Sequence, residues 1–525
     1  MKLCRKTIII LMVILFNSQT SYGKAIETAL TIDPFDDYTI RQRVAHVGAM
    51  PVSGTVGKQI SAIETQVVEA ESGKAVIGWY KIEATIGDGK WRGIIKNIPE
   101  GGWYEIRLRS ADNHDVTAES ESRFGVGIII TFTGQSNLWL NVAARYRGKA
   151  PEAWEGSEMS SVLSNRPNRG EKLAWELNKG KGATFHKLLG SNLTERLKIP
   201  VGIINAAWGG TRIFDWNNET QKVKDDEDAV FERYQRMMAH AGGDAELLVW
   251  HQGWSDFGPI VKTPTHYEEQ LDKLYGRLTS QITRKNVPII CGVEGRRIPH
   301  KKEELLEKLD AVKLIENKWS DWVRWSQMRW ARNHDYVLRG PNTIDIRLHH
   351  NCHFDNNDRM VWASRMTQCI LFALGKTQYT GGGIDFAPEN CSIEENKITL
   401  KVNHEGGNLL TVPFLDKPIE GFVVSDDDFK SRLAIEWVEI AQPNTIRIVL
   451  KETPKKEVQV TYLAGPGPIC DILTDPNSEI QEPSALTPPG NILYDNAKLP
   501  RGNIRLGLGN MVNGTIGPMT VAQER

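Results

Sequence analysis

The sequence predicts an α/β protein whose central domain is built on a parallel sheet and is flanked by an N-terminal and a C-terminal β-sandwich. Three patterns carry this expectation. From Val126 to about Gly375, apolar strand-like runs alternate with helix-periodic segments, the alternation that places helices on both faces of a parallel sheet. On either side of that region the helical signals stop, and short alternating runs separated by Gly, Pro, Asn and Asp take over. The chain of 525 residues is also too long for a single core.

Residues 1–25, MKLCRKTIIILMVILFNSQTSYGKA, read as a secretory signal peptide. Lys2, Arg5 and Lys6 precede a nine-residue apolar run over residues 8–16, with small and polar residues up to Gly23. The run is too short for a resident membrane helix. Loss of residues 1–23 would remove three positive charges and no negative ones, taking the formal net charge from −1 to −1 − 3 = −4. The mature protein is therefore expected to be exported, periplasmic or extracellular, with no integral membrane segment. A charge so near zero excludes a bulk electrostatic role toward nucleic acid. Cys291, Cys352, Cys369, Cys391 and Cys470 are too few and too scattered to form a disulfide scaffold.

Residues 26–124 are expected to form the N-terminal β-sandwich. The stretch Tyr104, Glu105, Ile106, Arg107, Leu108, Arg109 alternates as a half-buried strand does, and Gly/Asn/Asp/Pro turns recur at short intervals. Trp79, Trp91 and Trp103 could stack sugars, but core packing is the commoner use of tryptophan.

Residues 125–378 form the α/β domain. Its first strand, residues 127–132, empties into Gly134-Gln135-Ser136-Asn137. A helix carrying Phe185, Leu188, Leu189, Leu193 and Leu197 precedes a buried strand at 199–206. A strand at 246–250 is followed by a helix with Leu271, Leu274, Tyr275, Leu278 and Ile282, then by a strand at 287–291. Trp319, Trp322, Trp325 and Trp330 make a packing stripe on a helical stretch over 302–334. Residues 142–182 and 217–245 read as loops without a motif, where substrate specificity would sit.

Residues 379–505 are expected to form the second sandwich, with strands marked by Ile398/Leu400/Val402, Ile446/Ile448/Leu450 and Val458/Val460/Tyr462. Residues 506–525 read as a loosely held tail.

Four short stretches fall at strand ends of the α/β domain: Gly134 to Asn137; Trp208-Gly209-Gly210-Thr211; residues 251–256, HQGWSD; and residues 349–355, HHNCHFD. Loops leaving the strand ends of a doubly wound sheet share one edge, so the four can converge. Ser136 is the candidate nucleophile there. Removing its proton requires a group that titrates near neutrality, which is the range of histidine.

The strings GVGIIITFTGQSN, IPVGIINAAWGGT, LLVWHQGWSD and GPNTIDIRLHHNCHFD resemble the four blocks of the SGNH hydrolase superfamily, in its sialate O-acetylesterase and carbohydrate acetylesterase branch. GGWYEIRLR and ILYDNAKLP extend the resemblance over most of the chain. It implies a flavodoxin-like SGNH hydrolase domain and a serine esterase that removes O-acetyl groups from a sugar or glycan, with no cofactor and no metal. It assigns Ser136 as nucleophile and His353 as base. The backbone N–H groups of Ser136 and Gly210 would bind the oxyanion, each such donor contributing typically about 2.7–4 kcal/mol to lowering the barrier.

Two usual acid positions depart from the pattern. His350 stands three residues before the histidine, and Trp254 replaces the Glu of HQGE. The third-block asparagine, a side-chain oxyanion donor, falls at Ser255, which leaves Gln252 or Asn137 as substitutes. Either Asp355, Asp256, Asp345 or a backbone carbonyl orients His353, or the enzyme is slow, because losing the orienting acid costs on the order of 10⁴ in rate. The alternative reading is a catalytically weak or silent glycan-binding protein on the same fold. A zinc site at His349, His350, Cys352 and His353 has no further ligands at metal spacing in the sequence.

Overall fold

The computed structural model describes residues 29–138, 154–164, 173–182, 184–219, 229–295, 318–343, 346, 348–350, 352–354, 358–378, 385–386, 391–403, 410–412, 419, 421–427, 431–462, 492–494 and 519–521. The signal-like segment lies outside them. The chain divides into two compact units, one of residues 1–129, 174–177 and 199–202, the other of the remainder.

In the first unit the strands Val47–Thr55, Lys90–Pro99 and Ala84–Gly87 form one antiparallel sheet. Ile63–Glu69 pairs antiparallel with Ala75–Lys81 and with Gly101–Ser110 in another. Alternation decides the faces: Tyr104, Ile106 and Leu108 point inward while Glu105, Arg107 and Arg109 do not. Both sheets feed one core containing Met50, Trp91, Ile95 and Ile98 with Ile63, Val67, Ile106 and Leu108. Trp91 is a core residue whose indole N–H donates to Thr31 O at 2.9 Å. Trp79 lies under the Arg109 guanidinium, 4.4 Å from the ring centroid, and Trp103 packs edge-on against Tyr38.

The second unit is mixed α/β structure organised around parallel strands, and it holds residues 130–134 of the strand Phe124–Gly134 and 203–205 of Val201–Asn205. All eleven residues of Phe124–Gly134 are buried, as expected of a β-branched apolar run covered on both faces. Its C-terminal half pairs in parallel with Leu247–His251, which pairs in parallel with Ile289–Val293, and that strand with Val337–Asn342. Val201–Asn205 borders Phe124–Gly134 on the opposite side. In chain order these five strands therefore lie 2-1-3-4-5, and the order reverses at the strand that leads into Ser136.

The helices follow the apolar spacing. Phe185–Leu197 buries Phe185, Leu188, Leu189 and Leu193. Pro264–Thr279 starts on Thr263, whose hydroxyl accepts from His266 N, with proline in the first turn, and it buries Leu271, Leu274 and Leu278. Of the tryptophan stripe on Lys318–Asn333, Trp330 is fully buried and its indole donates to Asp272 Oδ1 at 2.8 Å.

Three expectations change. Within 142–182, read as a loop, Ser160–Ser164 and Ala174–Leu177 are strands. Within 217–245, read as a loop, Val230–Ala241 is a helix. It buries Phe231, Tyr234, Met237, Met238 and Ala241 at 3- and 4-residue spacing and ends on Gly242 in the left-handed conformation. Within 506–525, read as a loose tail, Met519–Val521 pairs with Val458–Val460 as an edge strand. The three C-terminal strands marked by alternation are present at Lys397–Asn403, Thr445–Leu450 and Val458–Tyr462, and their apolar faces share one core.

Candidate active site

The first strand ends at Gly134, where no other residue fits. Its φ is +137° and a Cβ there would stand 2.1 Å from His251 O on the neighbouring strand. The chain then enters a single 3-10 turn, Ser136–Leu138. Ser136 is buried, at 8% exposure.

His353 comes from the far end of the α/β region, on a two-residue strand, His353–Phe354, that folds back against Leu348–His350. Its Nε2 lies 2.8 Å from Ser136 Oγ. The two residues joined by sequence reasoning across 217 positions thus meet within hydrogen-bond range.

The side chains on either side of Ser136 fasten its surroundings. Gln135 Oε1 accepts from Gly253 N at 3.2 Å and Ser255 N at 3.4 Å, which ties the turn to the third block. Asn137 Nδ2 donates to Cys352 O at 2.9 Å, and its Oδ1 accepts from Phe354 N at 3.1 Å. Asn205, at the end of the second strand, donates to Leu138 O at 2.9 Å.

The second block is fixed to the first through the backbone. Trp208 N donates to Gly134 O at 3.0 Å, and Thr211 Oγ1 donates to Trp208 O at 2.9 Å. Gly210 is exposed, with φ +74° and open space where a Cβ would stand. Beneath this loop the buried Arg233 donates to Ala207 O at 3.2 Å and lays its guanidinium 4.6 Å from the Trp208 ring centroid.

The third block is a buried polar network. Gln252 Nε2 donates to Thr211 O at 3.1 Å and to Asp256 Oδ2 at 2.6 Å, while its Oε1 accepts from Tyr267 at 2.9 Å. Both amide hydrogens of Gln252 are therefore engaged in the scaffold, away from an oxyanion. Asp256 Oδ2 also accepts from Ile213 N at 3.0 Å, so its hydrogen bonds hold the Gln252 amide and the start of the helix Ile213–Trp216 instead of His353. Burial raises the Asp256 carboxyl to about 7, and the partnerless Oδ1 is the natural seat of its proton. Burial lowers the His251 imidazole to about 3 among the rings of Trp254, Phe354 and Trp362.

Among the other expected site residues, Ser255 is partly exposed, and its hydroxyl makes no hydrogen bond among the described residues. Trp254, at the position of the expected acid, is buried and packs edge-on against His251 and Phe354. Asp355 and Asp345 lie outside the described residues, as do the side chains of His349 and His350. Among the described residues no three His, Cys, Asp or Glu side chains converge as a metal site.

Sequence reasoning passed over Gln135, Thr211, Asn205 and Arg233. The first three sat inside the quoted blocks, Asn205 at a strand end, so position alone was the available signal. Arg233 lay in a segment read as a loop.

Residues 129–328 match the family described as carbohydrate esterase, sialic acid-specific acetylesterase. A carbohydrate acetylesterase from Xanthomonas citri has a similar fold, with TM-score 0.55 and 16% identity over 88% of this chain and 98% of that one. A protein from Arabidopsis thaliana (TM-score 0.33, 19% identity, 47% of this chain and 97% of that one) is also similar. So is a carbohydrate acetylesterase family member from Sinorhizobium meliloti (TM-score 0.30, 12% identity, 47% of this chain and 100% of that one). No curated protein matches the chain. The family match over residues 129–328 supports the sialate O-acetylesterase and carbohydrate esterase-like branch, and the Xanthomonas citri protein shares the fold.

Proposed function

We propose that this chain is an exported serine esterase that removes O-acetyl groups from a carbohydrate or sialic acid, with Ser136 as nucleophile and His353 as base. The 2.8 Å approach of His353 Nε2 to Ser136 Oγ carries the reading. The 2-1-3-4-5 strand order supports a flavodoxin-like domain, and Ser136 follows the strand at which that order reverses, the place where open α/β sheets bind ligands.

In the reaction, Ser136 Oγ attacks the acetyl carbonyl carbon as Nε2 takes the hydroxyl proton, and the carbonyl π pair moves onto oxygen. Collapse breaks the bond to the sugar oxygen, which leaves with the proton from His353. Water, deprotonated by the same nitrogen, then hydrolyses the acetyl-enzyme to acetate and regenerates Ser136. The N–H groups of Ser136 and Gly210 are the proposed oxyanion donors. With both amide hydrogens of Gln252 engaged elsewhere, the Ser255 hydroxyl and the second amide hydrogen of Asn137 are the side-chain donors left to join them.

The test is p-nitrophenyl acetate hydrolysis together with fluorophosphonate labelling. A burst, a phosphonyl adduct on Ser136 and loss of both in Ser136→Ala are expected. Neither turnover nor labelling would replace the enzyme with the glycan-binding reading.

A further inference from the structure

The side-chain amide of Asn137 makes two hydrogen bonds, and both go to the backbone that carries His353. Nδ2 donates to the carbonyl of Cys352 at 2.9 Å and Oδ1 accepts from the N–H of Phe354 at 3.1 Å. These are the peptide groups on either side of His353, so the amide pairs with that short strand much as a neighbouring strand would. Asn137 is 3% exposed, so the pair of bonds forms away from competing water. It is also the residue next to Ser136 on a single tight turn.

We infer that Asn137 is a positioning residue that sets His353 against Ser136. This rests on the Ser136–His353 reading and deepens it. The physical basis is short reach: one side chain adjoining the nucleophile fixes the main chain on both flanks of the base. The separation of Oγ and Nε2 is then set by a few covalent bonds instead of by the packing of more than two hundred intervening residues. The turn following a nucleophile needs no amide, since a serine or aspartate caps such a turn equally well. An amide is the side chain that can satisfy a carbonyl and an N–H together.

The test is a double-mutant cycle on kcat/KM for p-nitrophenyl acetate, using Asn137→Ala, His353→Ala and the double variant, with thermal melts of each. Asn137→Ala alone is expected to lower kcat/KM on the order of 100-fold, the usual effect of a misplacement of about 1 Å. In the His353→Ala background it should have almost no effect, because a residue acting through the imidazole has nothing left to act on. The isosteric Asn137→Asp keeps the acceptor for Phe354 N and loses the donor to Cys352 O, so it should lose rate through kcat with KM little changed. If Asn137→Ala does not fold, Asn137→Asp takes its place in the cycle.

Equal factors in both backgrounds would overturn the positioning role and leave the Ser136–His353 pair standing. Wild-type turnover in Asn137→Ala, or failure of both Asn137 variants to fold, would also overturn it. Wild-type turnover in His353→Ala would overturn the Ser136–His353 reading, and this inference with it.

Discussion

His353 Nε2 and Ser136 Oγ stand 2.8 Å apart, and neither side chain could do acyl transfer alone. Groups that act as a unit lose their effect together, so Ser136→Ala, His353→Ala and the double variant should show nearly the same residual rate. Each is expected to fall on the order of 10⁴-fold or more in kcat/KM. Steady-state esterase assays check this, and multiplicative losses would contradict the pair.

Gly134→Ala tests the close approach of the first strand to the third. The added methyl meets His251 O, and the backbone there has φ +137°. The strained conformation alone costs about 1–3 kcal/mol. Urea unfolding should show at least that loss, with the residual folded protein inactive because the turn bearing Ser136 has moved.

Trp254→Glu restores the acid that HQGE-type relatives carry, yet it should not raise activity. The indole is 1% exposed and lies against His251 and Phe354, beneath the strand that carries His353. Removing such a side chain costs about 3–5 kcal/mol, and a carboxyl buried among rings adds a desolvation penalty. The expected result is a lower melting temperature with lower turnover. A gain in kcat without loss of stability would show that the carboxylate finds a productive place.

Asp256 and His251 should oppose each other in the pH dependence of stability. The Asp256 carboxyl is raised from 3.8 to about 7, so its contribution is present at low pH and is lost as pH rises through that window. The His251 imidazole is lowered from 6.5 to about 3, so its contribution is present above 6.5 and is lost as pH falls. Asp256→Asn removes the first effect and keeps the shape and the acceptor for Ile213 N. The variant should therefore gain on the wild type by up to about 1.4 kcal/mol per pH unit between pH 4.5 and 6.5. Denaturant melts at three pH values measure this, and a constant difference would mean that Asp256 is ionised in the folded protein.

Much of this was legible in the chain because strong periodicity leaves few choices. The run ending at Gly134 is apolar at every position and could only be a doubly covered strand, and Ile398/Leu400/Val402 could only show one face to a core. The helix at Val230–Ala241 was also written in its spacing, with Gly242 as its stop, but it was masked by the polar residues before it. At the site, the pairing of Ser136 with His353 was legible because the block order carried it. The work of Gln135, Asn137 and Gln252 was not, because an amide reads the same in sequence whether it faces substrate or a neighbouring backbone. Only the positions of Cys352, Phe354, Gly253 and Thr211 around them decide between the two.

The contacts that gather on residues 135–137 reach partners 118 and 217 positions downstream. On refolding from denaturant, local helices and hairpins can recover their circular-dichroism signal before so distant a strand docks, because large loops close late. Enzymatic competence should therefore return as the slowest observable, behind secondary structure, and a chain cut short before position 352 should recover helix and sheet without recovering catalysis.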